Sequence, residues 1–130
     1  MALILDTRFL IAYTFPPTER DREKLREFVV RRAGEGFVIP AVVVAEFIKV
    51  AGRRLGSEAA EVKLKVWISS GAKVEPIDER VALEAGRMTL ARGVPLADAL
   101  VAAVAKSTRG IVVSDDPHFR VLGVKATWYK

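Results

Sequence analysis

Apolar residues in this chain gather in short unbroken runs, separated by longer stretches of mixed character. Met1 to Leu5 (MALIL) is continuous and stops at Asp6, and Phe37-Val38-Ile39 and Gly110 to Val113 (GIVV) are of the same kind. Runs this short suit strands buried on both faces, as in a parallel sheet. Lys73 to Ile77 (KVEPI) predicts a weaker strand, and Val124 to Trp128 a last one.

Between these runs the pattern is helical. Thr7 to Tyr13 predicts a short helix with Thr7 as N-cap, ended by Pro16-Pro17. Thr18 opens a charged helix running to about Ala33, with Leu25, Phe28 and Val29 as one buried stripe and Gly34 and Gly36 as breakers. A mostly apolar helix spans Val42 to Leu55 and stops at Gly56, and Ser57 caps the next, Glu58 to Ser69. Asp78 caps a helix that reaches Arg92 and ends at Gly93. Pro95, tolerated in a first turn, precedes an Ala-rich helix from Leu96 to Lys106. Strands alternating with helices imply an α/β fold with a mainly parallel sheet. No repeat, low-complexity tract or linker interrupts the pattern, so residues 1–130 read as one domain.

Composition narrows the chemistry. At 130 residues and 51% hydrophobic the chain can build a core of ordinary domain size. No apolar stretch approaches the ~20 residues of a membrane helix, and the start lacks a basic signal-peptide region, so a soluble cytoplasmic protein is expected. The absence of cysteine excludes disulfides, zinc ribbons, iron–sulfur clusters and thiol catalysis. A single histidine, His118, counts against a Ser-His-Asp triad and excludes a multi-histidine metal site. Lys and Arg number 21 against 16 Asp and Glu, a net +5 that permits a polyanionic partner.

Three carboxylates sit in apolar company. Asp6 ends ALIL, Glu46 is the only charge in FVIPAVVVAEFI, and Asp98 is the only charge in LADALVAAVA. A fourth acidic spot, Asp115-Asp116, follows GIVV and Ser114. A buried unpaired carboxylate costs several kcal/mol, so such groups call for a cation, a metal or a raised pKa. Asp6 and Asp115-Asp116 fall at the carboxyl ends of predicted parallel strands, the edge where open α/β sheets bind ligands. Four carboxylates meeting there would repel one another, and a hard divalent cation such as Mg²⁺ relieves this with oxygen ligands alone. A carboxylate-bound Mg²⁺ or Mn²⁺ suits phosphoryl chemistry. Arg8, Lys49, Arg53 and Arg54 are candidate phosphate contacts. Setting aside the four candidate acids leaves twelve against 21 bases, so the remaining surface is more basic than the total suggests.

Taken singly, each signal has an ordinary reading. Asp98 can cap its helix, Glu46 can pair with Lys49 at i+3, and Asp6 and Asp115-Asp116-Pro117 can be turn residues. His118 and Phe119 read as loop or core-packing residues. Trp67, Trp128 and Tyr129 can stack on bases, but read more readily as core. The argument rests on the conjunction of four acids.

At LILDTRFLIAY (Leu3 to Tyr13), VIPAVVVAEFIK (Val38 to Lys49), PLADALVAAVA (Pro95 to Ala105) and IVVSDDPHF (Ile111 to Phe119) the chain resembles the PIN-domain family, and most of all its VapC-type toxin ribonucleases. The resemblance implies a three-layer α/β fold, a central mainly parallel sheet flanked by helices. It also implies Mg²⁺- or Mn²⁺-dependent cleavage of RNA by an acidic cluster. Asp6, Glu46 and Asp98 match the first three acids of that cluster, and Asp116 matches the fourth, in the element Ser114-Asp115-Asp116. Ser114 and Asp115 are possible helpers. Arg8 is a departure, standing where such toxins often carry a small polar residue. The resemblance further implies a homodimer and a cognate antitoxin protein whose segment enters the active-site groove; the Tyr13-Phe15-Pro16-Pro17 region and the apolar faces of the second to fourth helices are candidate dimer surfaces.

Two other readings remain: a catalytically weak PIN-like module that binds RNA or a protein partner, and a different acid-based phosphotransferase. Arg8 counts against a dehalogenase-like phosphatase, which needs Asp two residues after its nucleophile. A receiver domain lacks its lysine, since Ser114 follows GIVV, and no GxxxxGK[ST] phosphate loop occurs.

Overall fold

The computed structural model describes all 130 residues. Five strands form one parallel sheet: β1 (Leu3–Leu5), β2 (Phe37–Pro40), β3 (Lys73–Glu75), β4 (Ile111–Val113) and β5 (Ala126–Thr127), in the spatial order β3-β2-β1-β4-β5. Helices α1 (Thr7–Thr14), α2 (Glu19–Arg32), α3 (Ala41–Leu55), α4 (Ser57–Ser69), α5 (Glu79–Arg92), α6 (Leu96–Thr108) and α7 (His118–Val121) flank it. The expected α/β architecture is the observed one, and the sheet is wholly parallel.

The central strand explains the first apolar run. Every residue of β1 is fully buried, as are Val112 and Val113 of β4, because helices cover the sheet. The Ala-rich helix α6 packs against α5, α3 and the sheet, and buries Ala99 and all of Val101 to Ala105. Small side chains let it approach its neighbours closely on several faces at once. Gly110 is needed for the same reason: a Cβ there would lie 2.7 Å from Ile4 Cδ1 and 2.9 Å from the Ala2 carbonyl oxygen. A second cluster of rings joins α1 to its surroundings, with Phe9 packed on Phe28, Trp67 and Trp128 at centroid distances of 5.5, 6.2 and 6.1 Å.

Element ends differ from expectation where local chemistry decides them. Thr18 and Asp78 cap α2 and α5 by accepting N–H bonds from Asp21 and Val81. Thr7 and Ser57 do not cap; each is the first residue of its helix, after Asp6 and Gly56. Helix α6 runs two residues past Lys106, and the hydroxyls of Ser107 and Thr108 donate back to the Val104 carbonyl. It ends at Arg109, in the left-handed region at φ 54°. Strand β3 stops before Pro76, which has no N–H for a ladder. The one-turn helix α7 occupies a stretch read as loop.

Candidate functional site

The chain leaves β1 toward β2 and β3 on one side, while β4 and β5 lie on the other, so the sheet reverses its order between β1 and β4. In parallel sheets the crevice at the carboxyl ends of such a pair receives ligands. Leu5 pairs with Val113, which places the next residues, Asp6 and Ser114, side by side at that crevice. The Ser114 hydroxyl donates to Asp6 Oδ2 at 2.8 Å and accepts the Asp116 backbone N–H at 3.1 Å. Asp116 Oδ1 in turn accepts the His118 backbone N–H at 3.0 Å, which fixes the turn from β4 into α7.

Two helices bring the remaining acids. Asp98 stands in the first turn of α6 but caps nothing; its Oδ2 lies 2.7 Å from His118 Nδ1. The same Nδ1 is 3.1 Å from Asp116 Oδ1, and Asp98, Asp116 and His118 offer ligand atoms all within 4.8 Å of one another. Glu46, in the second turn of α3, accepts the Thr7 hydroxyl at 2.7 Å instead of pairing with Lys49. Thr7 therefore spends its side chain on Glu46 rather than on its own helix.

Electrostatics ties Asp6 to the others. Asp6 is only 4% exposed. Burial pushes its pKa from 3.8 up to about 6, against the Ser114 hydroxyl and the Thr7 backbone N–H, which favour the charged form; Asp98 and Glu46 repel the charge and raise it further. No Lys or Arg lies within ion-pair distance of Asp6, Glu46, Asp98 or Asp116; His118 is the only basic side chain in contact, and it reaches just two of them. Asp98 and Asp116 converge with His118, while Asp6 joins them through Ser114 and Glu46 is held by Thr7; carboxylates with no Lys or Arg in contact suit a hard divalent cation.

Asp115 points its charge elsewhere. Its Oδ1 accepts from Arg8 Nε at 2.6 Å in an exposed pair, and that hydrogen bond, with smaller help from the charges of Asp115, Asp116 and Asp6, holds the Arg8 pKa above its ordinary value. Arg54 stacks over the Phe15 ring at 3.7 Å. Trp67 and Tyr129 are buried, and the Tyr129 hydroxyl donates to Asp21 at 2.8 Å, so neither presents a free ring face for base stacking. The residue that sequence reasoning set aside is His118. Its one signal was its spacing two residues after Asp116, in a segment whose turn of helix went unread.

A groove of about 570 Å³ lies between α2 and α4, lined by Tyr13, Leu25, Val29, Val66 and Trp67 with Arg22, Arg26 and Lys63. None of the four acids lines it. Tyr13, Pro16 and residues of α2 and α4 from the expected dimer surface line it, and no residue of α3 does. No helix is long and apolar enough to cross a membrane.

A family model described as PIN domain matches residues 3–125. Among curated proteins none matches the sequence significantly. Solved structures do match in fold. The VapBC2 structure from Rickettsia felis, bound to a DNA fragment from its promoter, superposes with a TM-score of 0.79 at 15% identity over 98% of each chain. DNA-bound VapBC from Salmonella typhimurium gives 0.78 at 21% identity over 100% of this chain and 99% of that one. VapC20 from Mycobacterium tuberculosis, described as a sarcin-ricin loop cleaving toxin, gives 0.76 at 18% identity over 94% and 95%.

Proposed function

The chain belongs to the PIN domain family, and from that premise we propose that it is a Mg²⁺- or Mn²⁺-dependent endoribonuclease, the toxin of a type II toxin–antitoxin pair. The observation that carries this reading is the gathering of Asp6, Asp98 and Asp116 around one strand edge with no lysine or arginine in ion-pair contact with them. Those three carboxylates would hold the cation, with Ser114 orienting Asp6. A divalent ion so bound lowers the pKa of a water and neutralises charge on the scissile phosphate and leaving oxygen. Glu46, held by Thr7, orients the attacking water. Arg8, at the rim beside Asp115, meets an RNA phosphate when that exposed pair opens.

The partner belongs to the same reading. Two of the matched structures are VapBC complexes, and the groove between α2 and α4 has an apolar floor with Arg22, Arg26 and Lys63 on its walls. It suits an antitoxin helix with an apolar face and acidic flanks. For a homodimer, the exposed stripe Ala82, Leu83, Gly86 and Leu90 on α5 is one apolar surface, with Leu90 90% exposed, and Val62, Val66 and Ile68 on α4 expose another. Metal, antitoxin and second copy are all compatible with a cytoplasmic protein.

The test is cleavage of a labelled RNA by the purified chain and by Asp98→Asn, each with Mg²⁺ or Mn²⁺ and with chelator. Loss of at least about a hundredfold in the variant, at unchanged thermal stability or better, is expected. Metal-dependent cleavage retained by Asp98→Asn refutes the assignment. RNA binding without any cleavage by the unmodified chain selects the binding-module alternative.

A further inference from the structure

The imidazole of His118 has no part in an oxygen-only metal site, yet it is the group that Asp98 and Asp116 share. Its Nδ1 sits 2.7 Å from one carboxylate oxygen and 3.1 Å from the other. Neighbouring ligands of an octahedral ion bound at ~2.1 Å are themselves about 3 Å apart. Both spacings, which now serve hydrogen bonds, are close to those between adjacent ligands of one cation, and the three ligand atoms all lie within 4.8 Å of one another. His118 is also fixed from both sides. Its backbone N–H is bound by Asp116 Oδ1, and Phe119, the next residue of α7, is fully buried. The ring is thus carried on an anchored turn of helix.

Resting on the metal-dependent reading above, we infer that His118 is a nitrogen ligand of the bound cation and sets its identity, tilting an otherwise oxygen-lined site toward transition-metal ions over Mg²⁺. As a ligand through Nδ1, the neutral ring carries its hydrogen on Nε2. Mg²⁺ prefers oxygen and gains little from an imidazole, whereas affinity for mixed nitrogen and oxygen sites rises from Mn²⁺ onward along the first transition row.

One property of the sequence makes the test clean: His118 is the only histidine, so in a tag-free chain any imidazole signal at the metal belongs to it. The probe is Mn²⁺ alone. Electron spin-echo spectroscopy of the Mn²⁺-loaded chain reads nitrogen coupling, repeated with ¹⁵N-histidine label, and competition against Mg²⁺ reads preference. Expected are a histidine nitrogen coupling that shifts with the label, its loss in His118→Asn, and a fall of about tenfold or more in the Mn²⁺-over-Mg²⁺ preference of that variant. Mn²⁺ bound without nitrogen coupling, or a preference unchanged in His118→Asn, overturns the inference and leaves the metal site standing; His118 is then only a hydrogen-bond partner of the acids in the metal-free chain. Absence of Mn²⁺ binding at millimolar concentration overturns the metal-dependent reading itself, and this inference with it.

Discussion

Asp6→Asn should make the metal-free protein more stable while removing the proposed RNA cleavage. Asp6 is buried at the end of the central strand, and its pKa stands at about 6 against an ordinary 3.8. Between those values the folded chain keeps a proton that the unfolded chain has released, so stability falls as pH rises through that window. Above about pH 6 the full cost is present, about 3 kcal/mol from the difference in pKa. At pH 4.5 about a third of it applies. Asparagine is nearly the shape of the protonated acid, and its amide oxygen can keep the Ser114 hydroxyl bond seen at 2.8 Å. Allowing for imperfect amide partners, a gain of about 1–3 kcal/mol is expected at pH 7.5 in chelator, or roughly 4–10 °C in Tm for a chain of this size. Urea unfolding followed by tryptophan fluorescence at pH 4.5, 6 and 7.5 gives the comparison. Adding Mn²⁺ should then stabilise the unmodified chain more than the variant. A variant no more stable at pH 7.5, or stabilised equally at pH 4.5, would refute the claim that an uncompensated Asp6 charge strains this site.

Other substitutions test separate parts of the structure. Gly110→Ala forces a methyl against Ile4 and the Ala2 carbonyl and should cost about 1–3 kcal/mol in denaturant unfolding. Arg109→Gly removes a side chain from a left-handed position at φ 54° and should gain up to about 1 kcal/mol in the same assay; a loss would show that the Arg109 side chain matters more than its backbone. Asp115→Ala breaks an exposed pair with Arg8, so unfolding free energy should change by under about 1 kcal/mol. Because Arg8 is then free, RNA affinity should rise and become more salt-dependent; weaker binding would place Arg8 away from the phosphate path.

The strands were legible because burial leaves no choice of residue: a central parallel strand covered on both faces must be apolar throughout, and LIL and IVV are. The helices were legible from period and punctuation, with Thr18, Asp78 and Gly93 doing what their types dictate. Asp6, Glu46 and Asp98 stood out because an isolated charge in an apolar segment is costly and therefore informative. Their assembly was less legible. Ordinary readings gave Asp98 to its helix cap and Glu46 to Lys49, and only packing sends them to His118 and Thr7 instead.

What the sequence determined by itself is the alternation of buried strands and amphipathic helices, the absence of thiol chemistry and of multi-histidine metal sites, and the presence of acids with no local partner. These follow from residue type and spacing, which act over a few residues. Only the tertiary structure decided that β1 and β4 lie side by side, that their ends bring Asp6 and Ser114 into contact across 108 positions of sequence, and that a histidine marked only by its place two residues after Asp116 sits between two carboxylates. Those facts depend on strand order and on how helices seat against the sheet, where contacts are made between segments that carry no mark of one another in the chain.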